Sequence, residues 1–381
     1  MSYKLQPGEG VADGIRRIVA EELDDAIAGL RTGAEAPAAQ RDAAIHEARK
    51  SLKKSRSALR LVRTDLKTST RQAESAAMRD AGRRLSGARD AQVMLDTLAG
   101  LAQHVPAPPP AEARALQVVL EARRDELAAE LEGHAGLLGD VAADLEAVRG
   151  RVDGWRLRDQ SPESVVAGAE AMHERGRLAM RSALRGGDDE DWHEWRKRVK
   201  DLWYAGRILE PIAGPQIGGL VQEADRLSDV LGDHNDLAVL LEAAEGNPGL
   251  QETIVTRRDA LRRVAAPLGR RLYAEKSKAF AARLEQILES HEGDLSAAAH
   301  WLPSDAAKEI RVQLAAKTTA DAAGRRRIAA ELRRLGLRTT DYESVVPRRQ
   351  GGFSAEDFDL LVERGIVRVG APPDPALLAG L

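Results

Sequence analysis

Two short segments of this chain carry almost the same row of cations. His46-Glu47-Ala48-Arg49-Lys50-Ser51-Leu52-Lys53 is answered by His193-Glu194-Trp195-Arg196-Lys197-Arg198-Val199-Lys200. The match runs on to Arg60 and Arg207, always 147 positions apart, as 193 is from 46 and 207 from 60. Turned at about 100° per residue, His46, Lys50, Lys53, Ser57 and Arg60 fall within about 40° of one line on a helix, with Arg49 beside it. His193, Lys197, Lys200, Tyr204 and Arg207 share a second line, flanked by Arg196. Each line is about 21 Å long at about 1.5 Å per residue. Lysine brings a mobile point charge, arginine a fork of donors, and serine and tyrosine a neutral hydrogen bond. That chemistry holds a multiply charged anion. It does not make a nucleophile or a proton relay.

Such rows need rigid helices with apolar backs. Ile45, Ala48, Leu52, Leu59 and Val62 lie opposite the first line, and Trp192, Trp195, Val199, Leu202 and Leu209 opposite the second. Solvated helix faces normally mix signs, for i,i+4 support and to avoid self-repulsion. Between positions 45 and 63 the only carboxylate is Glu47. Repulsion along the line disfavours the free fold unless an anion offsets it, so the rows read as anion-binding stripes. The tryptophans at 192, 195 and 203 read as core and offer no platform for stacking bases.

Apolar residues recur at three- and four-residue spacing almost throughout, and helices are expected at about 9–31, 38–66, 70–87, 90–103, 111–147, 162–185, 188–211, 215–231, 235–245 and 250–291. The breaks carry stop signals: Val105-Pro106-Ala107-Pro108-Pro109-Pro110, Gly186-Gly187-Asp188-Asp189 and Asn247-Pro248-Gly249. Gly87 and Gly232 also read as helix breaks, with Asp90 and Asp236 capping the helices that follow or pairing with stripe cations. Residues 301–381 form a distinct stretch: helices in Ala306–Gly336, a short helix over Ser354–Arg364 capped by Ser354, and one short strand at Ile366-Val367-Arg368-Val369.

The chain has 381 residues, no cysteine and a net charge of −3, which excludes disulfide scaffolds and thiol chemistry and leaves any basic surface to local segregation of charge. Its start lacks the pattern of a secretory signal, and no apolar run reaches the ~18 residues of a membrane span. A cytoplasmic, all-α protein is expected, without a membrane partner.

The repeat extends beyond the stripes. Leu85-Ser86-Gly87-Ala88-Arg89-Asp90 corresponds to Leu231-Gly232-Asp233-His234-Asn235-Asp236, and Arg123-Arg124-Asp125-Glu126-Leu127 to Arg257-Arg258-Asp259-Ala260-Leu261. Ordered blocks of this kind indicate a duplicated helical unit, 1–154 and 155–300, followed by a C-terminal extension at 301–381. Arg123 and Arg257 join the candidate anion-binding residues on the strength of that match.

These blocks resemble the CHAD family, the conserved-histidine α-helical domain. His46-Glu47-Ala48-Arg49-Lys50 and His193-Glu194-Trp195-Arg196-Lys197 stand as its His-x-x-Arg-Lys element, Arg89-Asp90-Ala91-Gln92-Val93 as its Arg-Asp-x-x-Val block, and Leu231-Gly232-Asp233-His234-Asn235-Asp236 as Leu-Gly-x-x-Asn-Asp. The resemblance covers about residues 1–300. It implies two four-helix bundles related by a pseudo-two-fold axis, basic helices facing a central channel, binding of long-chain inorganic polyphosphate, and association with polyphosphate granules. The chain departs from the family pattern at Asp201, which adds an acid, and at Trp203, which removes a cation. Nothing corresponds to the triphosphate-processing CYTH domain that many family members carry.

No Walker-type loop, nucleophile–base pair or carboxylate cluster for a metal accompanies the stripes, so the expectation is a binding protein that needs no cofactor, not an enzyme. His46 and His193, set among cations, are expected to be neutral and to donate one N–H to phosphate. The alternatives are a nucleic-acid binder, disfavoured by the lack of interleaved exposed aromatics; an adaptor that meets granule proteins through residues 301–381; and, last, a metal-dependent phosphohydrolase.

Overall fold

The computed structural model describes residues 3–6, 9–85, 88–104, 107–133, 136–157, 162–297, 300–317, 320, 322–335, 337, 353–363 and 367–370. Among them the chain is almost wholly helical. The first helices are α1 (Val11–Ala34), α2 (Ala38–Leu61), α3 (Thr68–Arg84), α4 (Ala88–Leu101), α5 (Pro110–Gly133) and α6 (Leu137–Val152). After a 3-10 turn at Pro162–Val165 come α7 (Val166–Leu184), α8 (Asp189–Ala243), α9 (Pro248–Leu272) and α10 (Ser277–Ala297). The chain then forms β1 (His300–Leu302), α11 (Ser304–Lys317), α12 (Ala322–Arg334), α13 (Ala355–Glu363) and β2 (Val367–Val369).

The main departure from the sequence reading lies in the second part of α8. The expected break between 211 and 215 is present: the 55 residues are two helices joined at Gly214, whose φ of 62° and ψ of −158° suit a residue without a Cβ. Gly232 is not a break. It sits inside the continuous helix, so Asp236 caps nothing; flanking helix formers and packing override glycine's propensity. Gly87 lies outside the described residues, and so do the side chains of Arg89 and Asp90. The single helix expected over 111–147 is two, α5 and α6, and that over 250–291 ends at Leu272 and resumes at Ser277. His46 falls in the third turn of α2, well inside it and not at a helix end. The cap expected at Asp188 is present: its carboxylate accepts from the Asp191 backbone N–H at 3.0 Å.

Compact packing divides the chain into Met1–Leu5 with Val11–Ile287, and Gln6–Gly10 with Leu288–Leu381. In the first unit α1, α2, α3 and α6 pack in a closed ring, each against two others. Ile15, Ile18, Leu23, Leu52, Leu59, Met78, Leu145 and Val148 are buried on these helices. The α4–α5 hairpin turns away from that ring. Leu98, Leu101, Leu116 and Leu120 join Leu237, Leu240, Leu250 and Ile254 in one apolar cluster with the end of α8 and the start of α9. A Glu112 carboxylate from α5 also accepts the Leu250 N–H at 2.7 Å and so caps α9 from another helix.

The second unit is built on Leu302, Ile310, Leu314, Ile328, Leu332, Phe358, Leu361 and Val367. The strand expected near 367 pairs in parallel with β1, a partner too short to be read from its own sequence. Ser354 and Asp357 form the reciprocal cap of α13: the Ser354 N–H reaches Asp357 Oδ2 at 2.8 Å and the Asp357 N–H reaches Ser354 Oγ at 3.2 Å. Among the described residues no helix is long and apolar enough to cross a membrane.

Candidate anion-binding site

The α2 stripe is displayed as its spacing predicts along its first half. Ile45, Ala48, Leu52 and Leu59 are buried on the back, while His46 and Lys53 are exposed and Arg49 and Lys50 half-buried on the front. Lys50 pairs with Glu47 one turn earlier at 2.9 Å, a surface pair that costs a bound anion little to displace. The second half of the line goes inward. Ser57 is wholly buried, and its hydroxyl donates to the Asp201 carbonyl on α8 at 3.1 Å. It is a helix-crossing contact and not a ligand group.

At that crossing Asp201 accepts from Arg60 at 2.9 Å and from Arg198 at 2.7 Å. Burial pushes its carboxyl up, and Arg60, Arg198 and Arg56 pull it back. The acid that departs from the family pattern therefore locks α8 to α2.

The α8 stripe is compensated by acids and an amide of α8 itself. His193 Nδ1 meets Asn235 Oδ1 at 2.5 Å, and Asn235 Nδ2 donates to Asp236 Oδ1 at 3.2 Å. That chain orients the amide so that Nδ1 carries a hydrogen, and in the neutral imidazole expected from the sequence Nε2 would then hold a lone pair and offer no N–H to phosphate. Lys197 pairs with Glu190 at 3.2 Å and Glu194 at 2.9 Å. Burial holds the Lys200 ammonium below the ordinary lysine range and Arg196 adds to that, whereas Asp229, Asp236 and Asp225 pull it the other way. These three acids lie on the part of α8 beyond Gly214, which folds them back towards the stripe. Arg196 sits beside Gly232, where an ideal Cβ would come 3.8 Å from Nε, and that buried Nε has no hydrogen-bond partner.

Tyr204 is 6% exposed, edge-on to Tyr3 with ring centres 5.8 Å apart, and burial pushes its hydroxyl up to about 12. It packs rather than reaching solvent. Arg207 lies over the Trp203 ring at 5.3 Å and the Tyr3 ring at 6.0 Å. Trp203 thus holds a stripe cation in place. Trp192 and Trp195 are core, as expected.

Arg123 is exposed on α5 and pairs with Glu126 of the same helix. Arg257 on α9 is half-buried, and its charge acts on Asp233 of α8. The matched blocks thus place both on the α4–α5–α8–α9 side. At the crossing Arg60 of the α2 line meets four cations that local spacing did not single out. Arg60, Arg63, Arg71, Arg175 and Arg198 line one cleft with Asp201, drawn from α2, α3, α7, α8 and the turn after α2. No periodicity could reveal a cluster drawn from several elements. Among the described residues no group of three or more His, Asp or Glu side chains is placed to hold a metal ion.

A family model for the CHAD domain matches residues 21–245. Among solved structures the chain is similar to PptA from Streptomyces chartreusis, with 14% identity and a TM-score of 0.44 over 70% of this chain and 98% of that one. It is also similar to the CHAD domain from the plant Ricinus communis, with 20% identity and a TM-score of 0.42 over 75% and 93% of the two chains. Curated protein sequences give no match. The matched segment is more than half of the chain and contains both histidine-led stripes, on α2 and α8: the protein belongs to the CHAD domain family.

Proposed function

We propose that this protein binds long-chain inorganic polyphosphate along its cationic stripes, without turning it over, and that it does so at polyphosphate granules. The observation that carries the reading is the row of His46, Arg49, Lys50 and Lys53 along one face of α2, with a second row on α8. Polyphosphate has one negative charge per internal phosphate and no base to read. Charge spaced along a rigid helix, with arginine forks and lysine heads, suits such a polymer. Lys50, Lys53, Arg60, Lys197, Lys200 and Arg207 are the expected contacts. CHAD membership and the resemblance that the stripes carry support the same reading.

The test is the affinity of full-length protein for long-chain polyphosphate at several salt concentrations, for wild type and for Lys53→Glu combined with Lys200→Glu. Each neutralised phosphate releases condensed counterions, so wild-type affinity should fall steeply and linearly with salt on logarithmic axes. The double reversal should weaken binding by at least about tenfold with helicity retained, since each charge contact is worth ~1 kcal/mol or more. Orthophosphate should compete poorly for the stripes, having no tethered neighbours. Equal affinities, no salt dependence, or preference for DNA at fixed salt would each overturn the reading. Polyphosphate, triphosphate and ATP should remain intact on incubation with or without divalent metal.

A further inference from the structure

The cleft at the α2–α8 crossing begins where the α2 stripe ends, at Arg60, and its other arginines lie outside both stripes. Five arginines line it with one carboxylate, and Arg198 also pairs with Glu194 at 2.7 Å. Asp201 is already shared by Arg60 and Arg198, and among the described residues no carboxylate pairs with Arg63, Arg71 or Arg175. Arg71 Nε is buried without a hydrogen-bond partner. The arginines repel one another: after burial, Arg198, Arg63 and Arg60 weigh on Arg175, and Arg63 and Arg60 on Arg71. On the flank, burial and then Arg60 push Arg56 down to about 10. A fold that holds this many like charges around one opening gains from an anion placed among them.

The shape limits what that anion is. The cleft is tight, and its apolar lining is confined to Ala171 and Met172. It has no room for a large ligand and no aromatic face for a base. The forks come from several elements, so they can surround a tetrahedral group instead of tracking along a strand.

We propose that this cleft is a second anion site, distinct from the stripe lysines, that takes a terminal phosphate group carrying two charges: free orthophosphate or pyrophosphate, or the end of a phosphate chain. Asp201 neutralises Arg60 and Arg198 when the site is empty of ligand. Arg63, Arg71 and Arg175 supply the free forks.

The experiment compares full-length wild type, Arg63→Gln with Arg175→Gln, and Lys53→Glu with Lys200→Glu. Binding of radiolabelled pyrophosphate is measured by equilibrium dialysis, and thermal unfolding is followed with and without ligand. Wild type should bind one pyrophosphate per chain and unfold a few degrees higher with it. The arginine variant should lose at least about tenfold in affinity while its ligand-free unfolding temperature stays the same or rises, because repulsion has been removed. A merely structural pair of arginines would lower it. The lysine variant should bind pyrophosphate as wild type does, which separates this site from the polyphosphate reading. On that background, protection by uncapped but not end-capped long chains assigns chain ends as a source, and protection by orthophosphate and pyrophosphate alone assigns the free ion. Equal pyrophosphate affinity for wild type and the arginine variant, loss in the lysine variant, or equal binding of cyclic trimetaphosphate, which has no terminal phosphate, would overturn the proposal.

Discussion

The stripes on α2 and α8 carry histidine, lysine and arginine at the same spacing, yet they stand in different electrostatic surroundings. On α8, Lys197 is held by Glu190 and Glu194, and Lys200 lies in the field of Asp225, Asp229 and Asp236. In the first half the positions that match Asp225 and Asp229, counted from the Leu85–Leu231 correspondence, are Arg79 and Arg83. Lys50 has Glu47 on its own helix, and the arginine cleft draws Arg60, Arg63 and Arg71 from the first half. The two rows are therefore compensated by different partners: Lys50 by Glu47 of its own turn and Arg60 by Asp201, the α8 lysines by acids from both ends of α8. The number of cations in a repeat is a poor guide to the charge it can offer a ligand; the partners that folding brings within a few ångströms decide it.

The largest expected effect breaks the comparison by parting the two helices that frame the arginine cleft. A Cβ on Gly168 of α7 would collide with the Leu61 carbonyl at the end of α2. Gly168→Ala should cost about 3 kcal/mol or more, since backbone has to move. Urea unfolding measures it, and an unchanged midpoint would mean the two helices are not in rigid contact.

Acid should next distinguish the halves. His173 and His234, both in the second half, are almost fully buried, and burial pushes both imidazoles down to about 4. His173 Nδ1 meets Ser277 Oγ at 2.9 Å and its Nε2 is buried without a partner, while His234 Nε2 accepts from Arg262 Nε at 3.0 Å. A proton on His234 Nε2 would displace the Arg262 N–H, and one on His173 Nε2 would bury a charged N–H with no acceptor. Their folded values lie below the unfolded value near 6.5, so the unfolded chain binds more protons between the two. Their contribution is complete above about pH 6.5 and is lost as pH falls to about 4, at most about 3 kcal/mol for each. Hydrogen exchange should show α7–α10 loosening before the α1–α2–α3–α6 ring. Simultaneous loosening would contradict this.

A smaller effect sharpens the contrast between stripes. Lys50→Glu with Lys53→Glu should weaken polyphosphate binding by about tenfold more than Lys197→Glu with Lys200→Glu, because Lys197 pairs with two acids where Lys50 pairs with one, and Lys200 is the more deeply buried lysine. Equal losses would mean that the acids of α8 do not matter to the ligand. The smallest effect is a gain: Asp229→Asn removes one of the acids that offset Lys200 and should tighten polyphosphate binding about two- to threefold at low salt, vanishing at high salt. Binding titrations at two ionic strengths check it.

The stripes themselves were legible because they are local: three- and four-residue spacing puts cations on one line whatever the helix packs against. So were the α8 cap at Asp188, the α13 cap at Ser354 and the buried Trp192 and Trp195. Gly232 was misread because glycine's weak preference against helix, ~1 kcal/mol, is smaller than the packing of a long helix. Ser57 and Tyr204 were misread for a related reason. Periodicity says which side of a helix a residue occupies, but not whether another helix crosses there, and α8 crosses α2 at Ser57.

What the sequence determined by itself was an almost all-α chain with two matched cation rows on amphipathic helices, since the side-chain direction on a helix depends only on neighbours within a turn or two. What only the tertiary structure decided was the charge left on those rows, the turning of α4 and α5 onto α8 and α9, and the meeting of Arg63, Arg71, Arg175 and Arg198 around Asp201. Electrostatic energy and burial depend on distance through space, and residues more than a hundred positions apart become neighbours only when the helices pack.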